Sequence, residues 1–381
     1  MKVLAYYTNQ TKHILVLDDL KAEINQEDFL FESAGPHSKL EIMFIESLIL
    51  PVRIIEALVN LKEQYGDETF KIYTTTESLS QYLFELRIPN IQINRLSQIS
   101  PEKDSEDLIK FSEEELRDLL MGIYQIYGYD FRNYQLENLK RTFSQTMARE
   151  TMLDFDRFKK KILQDLEFFQ RLFLNLSINV TSFFRYPDLF KVLREEVFPY
   201  LNSFPHLRIW SVGAASGEEA YSLAILLDEL NMLEKSIIYA TDFNSLVLEK
   251  AQNGLYALPS LKQAVENHRK SGGSKQLEKY FYINHYYAQI KPSIKKKVVF
   301  FQHNLTSDTA FNEFHLIICK NVLIYFNPQL QENVINLFKQ SLHRNGFLVL
   351  GRSENLFRNS HNFIKYKAGF NIFKLLNSGL E

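Results

Sequence analysis

The chain has one cysteine in 381 residues, Cys319. That excludes a disulfide framework and a thiolate metal site. Its nine histidines show no metal-ligand spacing, so no metal is expected. An excess of one charge sign is also missing: 44 Lys and Arg stand against 46 Asp and Glu. Near-neutrality argues against nucleic acid as the main partner, because phosphate contacts demand clustered cations. No apolar run approaches a membrane span, and the opening MKVLAYY has no signal-peptide pattern. The expectation is a soluble, cytoplasmic chain of a reducing compartment, with no membrane insertion. What the chain does have is 45% hydrophobic residues, 31 Phe and 20 Tyr. Aromatics at this level mean core rather than a stacking surface. The length predicts two or three domains.

Residues 1–96 predict a small α/β domain. Its strand candidates are Lys2–Tyr7, His13–Asp18, Leu40–Phe44, Phe70–Thr74 and Ile91–Asn94, with helices over Val52–Tyr65 and Ser78–Leu86. The polar run 97–107 reads as a linker. A helical unit over 108–197 follows. Ser112 and Glu115 form a capping box ahead of Leu116, Leu119, Leu120, Ile123 and Ile126, and Gly128 ends that helix. Residues 198–381 alternate strand and helix, the rhythm of a doubly wound parallel sheet, interrupted at about 277–303 by what reads as an antiparallel insert.

The chemistry concentrates after Arg208. A strand over Arg208–Val212 runs into Gly213-Ala214-Ala215-Ser216-Gly217 and then a helix opening with Glu218 and Glu219. Small residues let the backbone approach a ligand closely. The next strand, Ile237–Ala240, ends in Thr241 and Asp242, 25 positions past Gly217. An acid there is placed to accept both ribose hydroxyls. Two glutamates at the helix start would repel a pyrophosphate but suit a cation such as a methionine ammonium. The turn therefore points to S-adenosylmethionine.

Four segments carry a family resemblance: Asn179-Val180-Thr181-Ser182-Phe183-Phe184-Arg185, the turn Ser211–Tyr221, Cys319-Lys320-Asn321-Val322-Leu323-Ile324-Tyr325-Phe326, and Gly351-Arg352-Ser353-Glu354-Asn355-Leu356. In this order, over about 108–376, the chain resembles the CheR family of protein-glutamate O-methyltransferases. The resemblance implies cofactor binding by Asn179, Thr181, Arg185, Gly213, Glu219, Asp242, Asn304, Leu305, Asn321 and Val322, with Tyr325 beside the methyl group. It implies transfer from S-adenosylmethionine to glutamate carboxylates of a chemoreceptor-like signalling protein. Arg185 and Tyr325 are assigned to positioning the acceptor: a guanidinium binds a carboxylate through two parallel hydrogen bonds. Glu354 reads as a structural residue bonding backbone amides near the site.

The chain departs from the family at three places. Lys320 stands where the family carries arginine. The basic helix is thinned to Lys140, Arg141 and Arg149 within LKRTFSQTMARETM. Between Phe281 and Phe301 there is no glycine, so no binding of a receptor C-terminal pentapeptide is expected. Residues 1–96 are an addition whose pattern is similar to STAS domains, with Ser47 a poor match to their phosphorylated serine; a regulatory or partner-binding role is expected. Two alternatives stay open: a cofactor-binding signalling module with little or no turnover, and methylation of nucleic acid or a small molecule.

Overall fold

Alternating apolar and polar residues build strands, and apolar residues three and four apart build helices. Both patterns are visible along this chain. In the computed structural model, which describes residues 2–9, 12–18, 39–45, 50, 52–65, 70–74, 77–86, 88, 91–93, 111–150, 152, 154–176, 181–356 and 362–376, the elements come in this order. Strands β1 (Lys2–Asn9), β2 (Lys12–Asp18) and β3 (Lys39–Ile45) precede α1 (Val52–Tyr65), β4 (Phe70–Thr74), α2 (Glu77–Glu85) and β5 (Ile91–Ile93). They form one sheet in sequential order, antiparallel between β1 and β2 and parallel thereafter. Ser47 and the linker 97–107 lie outside the described residues.

Helices α3 (Glu113–Tyr127), α4 (Leu136–Arg149), α5 (Phe155–Gln164) and α6 (Leu166–Leu176) follow. The capping box is present: the Ser112 hydroxyl accepts the Glu115 N–H at 3.1 Å, and the Glu115 carboxylate accepts the Ser112 N–H at 2.6 Å. Gly128 closes α3 with φ 77°. Leu116, Leu119, Leu120 and Ile123 of α3 bury against Phe143, Phe158, Phe169 and Phe173 of the next three helices. Then α7 (Pro187–Val192) runs through a π-turn into α8 (Phe198–Leu201).

The last part contains β6 (Leu207–Val212), α9 (Glu218–Glu229), β7 (Ser236–Asp242), α10 (Ser245–Asn253), β8 (Leu255–Ala257) and α11 (Leu258–Lys270). Next come β9 (Phe281–Ile283), β10 (Tyr287–Ile290), α12 (Pro292–Lys295), β11 (Val298–Gln302), β12 (Phe314–Cys319), α13 (Pro328–Ser341), β13 (Leu342–Leu350), β14 (Phe363–Lys365) and β15 (Ile372–Leu375). The main sheet has seven strands in the order β11-β7-β6-β12-β13-β15-β14. It is parallel from β11 to β13, and β15 and β14 join antiparallel. This is a Rossmann-like α/β sheet with two antiparallel strands at one edge. Its order reverses between β6 and β12, and open sheets of this kind take their ligands at the carboxyl ends of strands flanking such a reversal. Trp210, Phe314, Ile317, Phe338 and Leu348 pack the core on one face.

The antiparallel reading of 277–303 needs correction. Within it β9 and β10 belong to a three-stranded sheet ordered β8-β10-β9, in which β10 pairs antiparallel with β8. Val298–Gln302 instead pairs in parallel with Ile238–Asp242 as the edge of the main sheet. A short apolar run after Lys295–Lys297 carries no sign of its partner's direction, because a strand's side-chain period is the same in either pairing. By contact density the chain divides into two units, residues 1–100 with 253–261 and 281–289, and the remainder. No described helix is long and apolar enough to cross a membrane.

Candidate functional site

β6 ends at Val212, and the chain must turn sharply to start α9. Gly213 takes φ 67°, and a Cβ on it would lie 2.4 Å from the Val322 side chain. Only glycine allows the turn and the loop after β12 to come this close. The Ala215 N–H donates to Asp242 Oδ2 at 2.9 Å, tying the turn to the end of β7. Asp242 Oδ1 accepts the Asn244 N–H at 3.0 Å. Asp242 is buried at 6% exposure. Burial pushes its carboxyl up to about 6, against amide hydrogen bonds from Asn244, Ala215 and Phe243 that pull it down.

Glu219, on the first turn of α9, accepts the Ser211 hydroxyl at 3.0 Å and pairs with Lys320 Nζ at 2.6 Å. The Lys320 ammonium also lies 5.5 Å from the Tyr186 ring centre and 5.3 Å from that of Phe190. Lys320 opens the loop after β12. Asn321 follows with φ 59°, then Val322 and a single 3₁₀ turn, Leu323–Tyr325. Residues 133–135 of the α3–α4 connection clamp the end of this loop. The Gln135 N–H donates to the Tyr325 carbonyl at 2.8 Å, and the Asn327 N–H to the Asn133 carbonyl at 2.9 Å. Burial raises the Tyr325 hydroxyl above its ordinary range, while the Arg185 and Arg141 charges oppose that rise.

Arg185 sits in a strained turn, with Phe184 at φ 51° and Tyr186 at φ 65°. Its neighbours over-determine this backbone. The Phe184 N–H donates to Ser222 Oγ at 2.9 Å, Asn267 Nδ2 donates to the Phe183 carbonyl at 3.0 Å, and the Phe184 ring meets His268 edge-on at 4.8 Å. Strain held this way by its surroundings keeps a side chain in one place.

Arg185, Thr181, Gly213, Glu219, Asp242, Asn304, Leu305, Asn321, Val322 and Tyr325 all line one cavity of about 270 Å³. Asn179 lies outside the described residues. Sequence reasoning missed Tyr134, Phe243 and His303, which line the same cavity. Tyr134 comes from the helical part, and its hydroxyl is raised by burial and by the nearby charge of Asp242. No motif marked it; an aromatic in a short inter-helix connection reads as core. Lys320 was visible only as a departure, and its pairing with Glu219 was not.

The donor set suits an adenosyl amino acid. Asp242 would offer carboxylate acceptors to a ribose, and Glu219, paired with Lys320, lines the same cavity. Among the described residues no cluster of His, Cys, Asp and Glu could hold a metal ion.

Comparison with known proteins agrees. A family model described as CheR methyltransferase, SAM binding domain, matches residues 179–371. The Pseudomonas putida protein Cher3 is 40% identical over 242 residues, covering 64% of this chain and 89% of that one. A chemotaxis protein methyltransferase of Listeria innocua is 31% identical, covering 66% and 90%. The chemotaxis protein methyltransferase of Salmonella typhimurium is 29% identical, covering 65% and 85%.

Proposed function

The chain belongs to the CheR methyltransferase family, and from that membership we propose that its acceptor is a glutamate side chain of a chemoreceptor-like signalling protein. Binding of S-adenosylmethionine and methyl transfer follow from the membership itself. The glutamate acceptor, the residue roles and a cytoplasmic setting are the proposal. So are its independence of a receptor C-terminal pentapeptide and the division into a STAS-like unit over 1–96, a helical unit over 108–197 and a catalytic unit over 198–381. The relatives named as chemotaxis methyltransferases support the setting.

One observation carries the acceptor assignment. Arg185 and Tyr325 line the cavity that also holds Glu219 and Asp242. S-adenosylmethionine, when bound, would supply a sulfonium methyl group that a carboxylate oxygen can attack in line, the O–C bond forming as the S–C bond breaks and neutral S-adenosylhomocysteine leaves. A glutamate is already ionised at neutral pH, so this chain need not supply a general base. Arg185 holds the incoming carboxylate by two parallel hydrogen bonds, and the Tyr325 hydroxyl donates a third. Asp242 would accept the ribose hydroxyls, Asn304 and Leu305 would hold the adenine end, and Asn321 and Val322 the methionine end, with Thr181 lining the same cavity; Asn179 is assigned to the cofactor by the family resemblance alone. Orienting both reactants accounts for the rate.

The test is incubation with methyl-labelled cofactor and a purified receptor fragment bearing candidate glutamates. Base-labile label released as methanol is the expected result. Cofactor binding without any transfer would overturn the reading in favour of a signalling module.

A further inference from the structure

The loop after β12 starts with backbone donors that no strand can satisfy. The left-handed Asn321 turns three successive N–H groups, of residues 321, 322 and 323, toward one point. Such a cluster of parallel amides is an anion-binding concavity. Here the anion belongs to the chain. Glu354 Oε1 accepts the Val322 and Leu323 N–H groups at 2.9 and 2.8 Å. Glu354 Oε2 accepts the Asn321 and Gly351 N–H groups at 3.0 and 2.6 Å. The residue is only 4% exposed, so water cannot replace it.

The carboxylate is itself held in place. A Cβ on residue 351 would stand 2.4 Å from Glu354 Oε2, so Gly351 is the residue that lets the acid tuck under the loop. Asn371 Nδ2 donates to the Glu354 carbonyl at 2.5 Å and to the Gly351 carbonyl at 2.9 Å. The end of β13 and the start of β15 thus fix an acid whose four partners lie mostly in another loop.

We propose that Glu354 is a positioning residue: its carboxylate sets the conformation of residues 321–325, and through it the reach of Asn321, Val322 and Tyr325 into the cavity. This deepens the proposed function and rests on its assignment of Asn321 and Val322 to the methionine end of the cofactor. A glutamine of the same shape cannot do the same work. It offers one acceptor oxygen, and its NH₂ group faces two N–H donors. Buried donors left unpaired in this way drive the loop to another conformation. The nucleoside end depends on Asp242 of β7 and on Asn304 after β11, which lie on the far side of β6 from Glu354's strand.

The test compares Glu354→Gln with the wild-type chain by calorimetric titration of S-adenosylhomocysteine and of adenosine, which lacks the amino-acid end. Affinity for S-adenosylhomocysteine is expected to fall about tenfold or more, with adenosine affinity unchanged within about twofold. Unchanged affinity for both ligands would overturn the proposal. Equal loss of both would also overturn it, by showing general damage rather than positioning. A wild-type chain binding both ligands equally would remove the methionine-end assignment, and the positioning role with it. Should Glu354→Gln fail to fold, Asn371→Ala loosens the same acid more gently. It is expected to weaken S-adenosylhomocysteine about threefold and leave adenosine unchanged, and no loss would overturn the proposal.

Discussion

Lys320 Nζ stands 2.6 Å from Glu219 Oε2, with the two side chains only 5% and 15% exposed. Lys320 is therefore part of the cavity's charge balance. It neutralises the glutamate assigned to the methionine ammonium. A carboxylate this enclosed is costly without a cation.

Replacing Lys320 by methionine should therefore destabilise the cofactor-free protein by about 1 to 3 kcal/mol. Lys320→Arg keeps the charge and should cost less than about 1 kcal/mol. Equilibrium denaturation measures both. A methionine variant with the wild-type midpoint would contradict the pairing's importance.

Arg185 and Tyr325 have roles that separate turnover from cofactor binding. Arg185→Ala should lower kcat about a hundredfold and Tyr325→Phe about tenfold, while affinity for S-adenosylhomocysteine falls by less in each case. Steady-state methylation paired with calorimetry gives both quantities. Wild-type rates in either variant would remove that residue from acceptor positioning.

Asp242 predicts a pH dependence with a definite sign. Burial lifts its carboxyl from an ordinary value of 3.8 to about 6. The folded chain thus binds this proton more tightly than the unfolded chain. The group's contribution to stability is complete below about pH 4 and is lost as pH rises through about 6. Ribose hydroxyls donate best to the ionised form, so affinity for S-adenosylhomocysteine should rise with pH up to about 6, by as much as about tenfold per unit, and level off above about 7. Asp242→Asn should bind more weakly and show a flat profile. Calorimetry between pH 5 and 7.5 checks this, and a flat wild-type profile would contradict it.

Much of the catalytic part was legible because its chemistry sits in contiguous segments. The turn from Val212 to Glu219 announces itself through small residues and acids at a strand–helix junction, and Asp242 through its distance beyond that turn. The capping box at Ser112 and Glu115 is equally local. Features that depend on another part of the chain were not legible. Tyr134 reaches the cavity only because residues 133–135 bond Tyr325 and Asn327. The partner of Lys320 lies about a hundred positions away, at Glu219. The parallel pairing of Val298–Gln302 with β7 left no mark, since alternation names a strand but not its neighbour. Glu354 was readable as a residue bonding amides, but which amides it bonds required the fold.

The most direct measurement is a titration of S-adenosylhomocysteine into the wild-type chain and into Asp242→Ala at pH 7.5. Saturable one-to-one binding in the first, with a loss of about tenfold or more in the second, is the predicted result. No binding to the wild-type chain, or equal affinity in both proteins, would contradict the claim that this cavity holds the methyl donor.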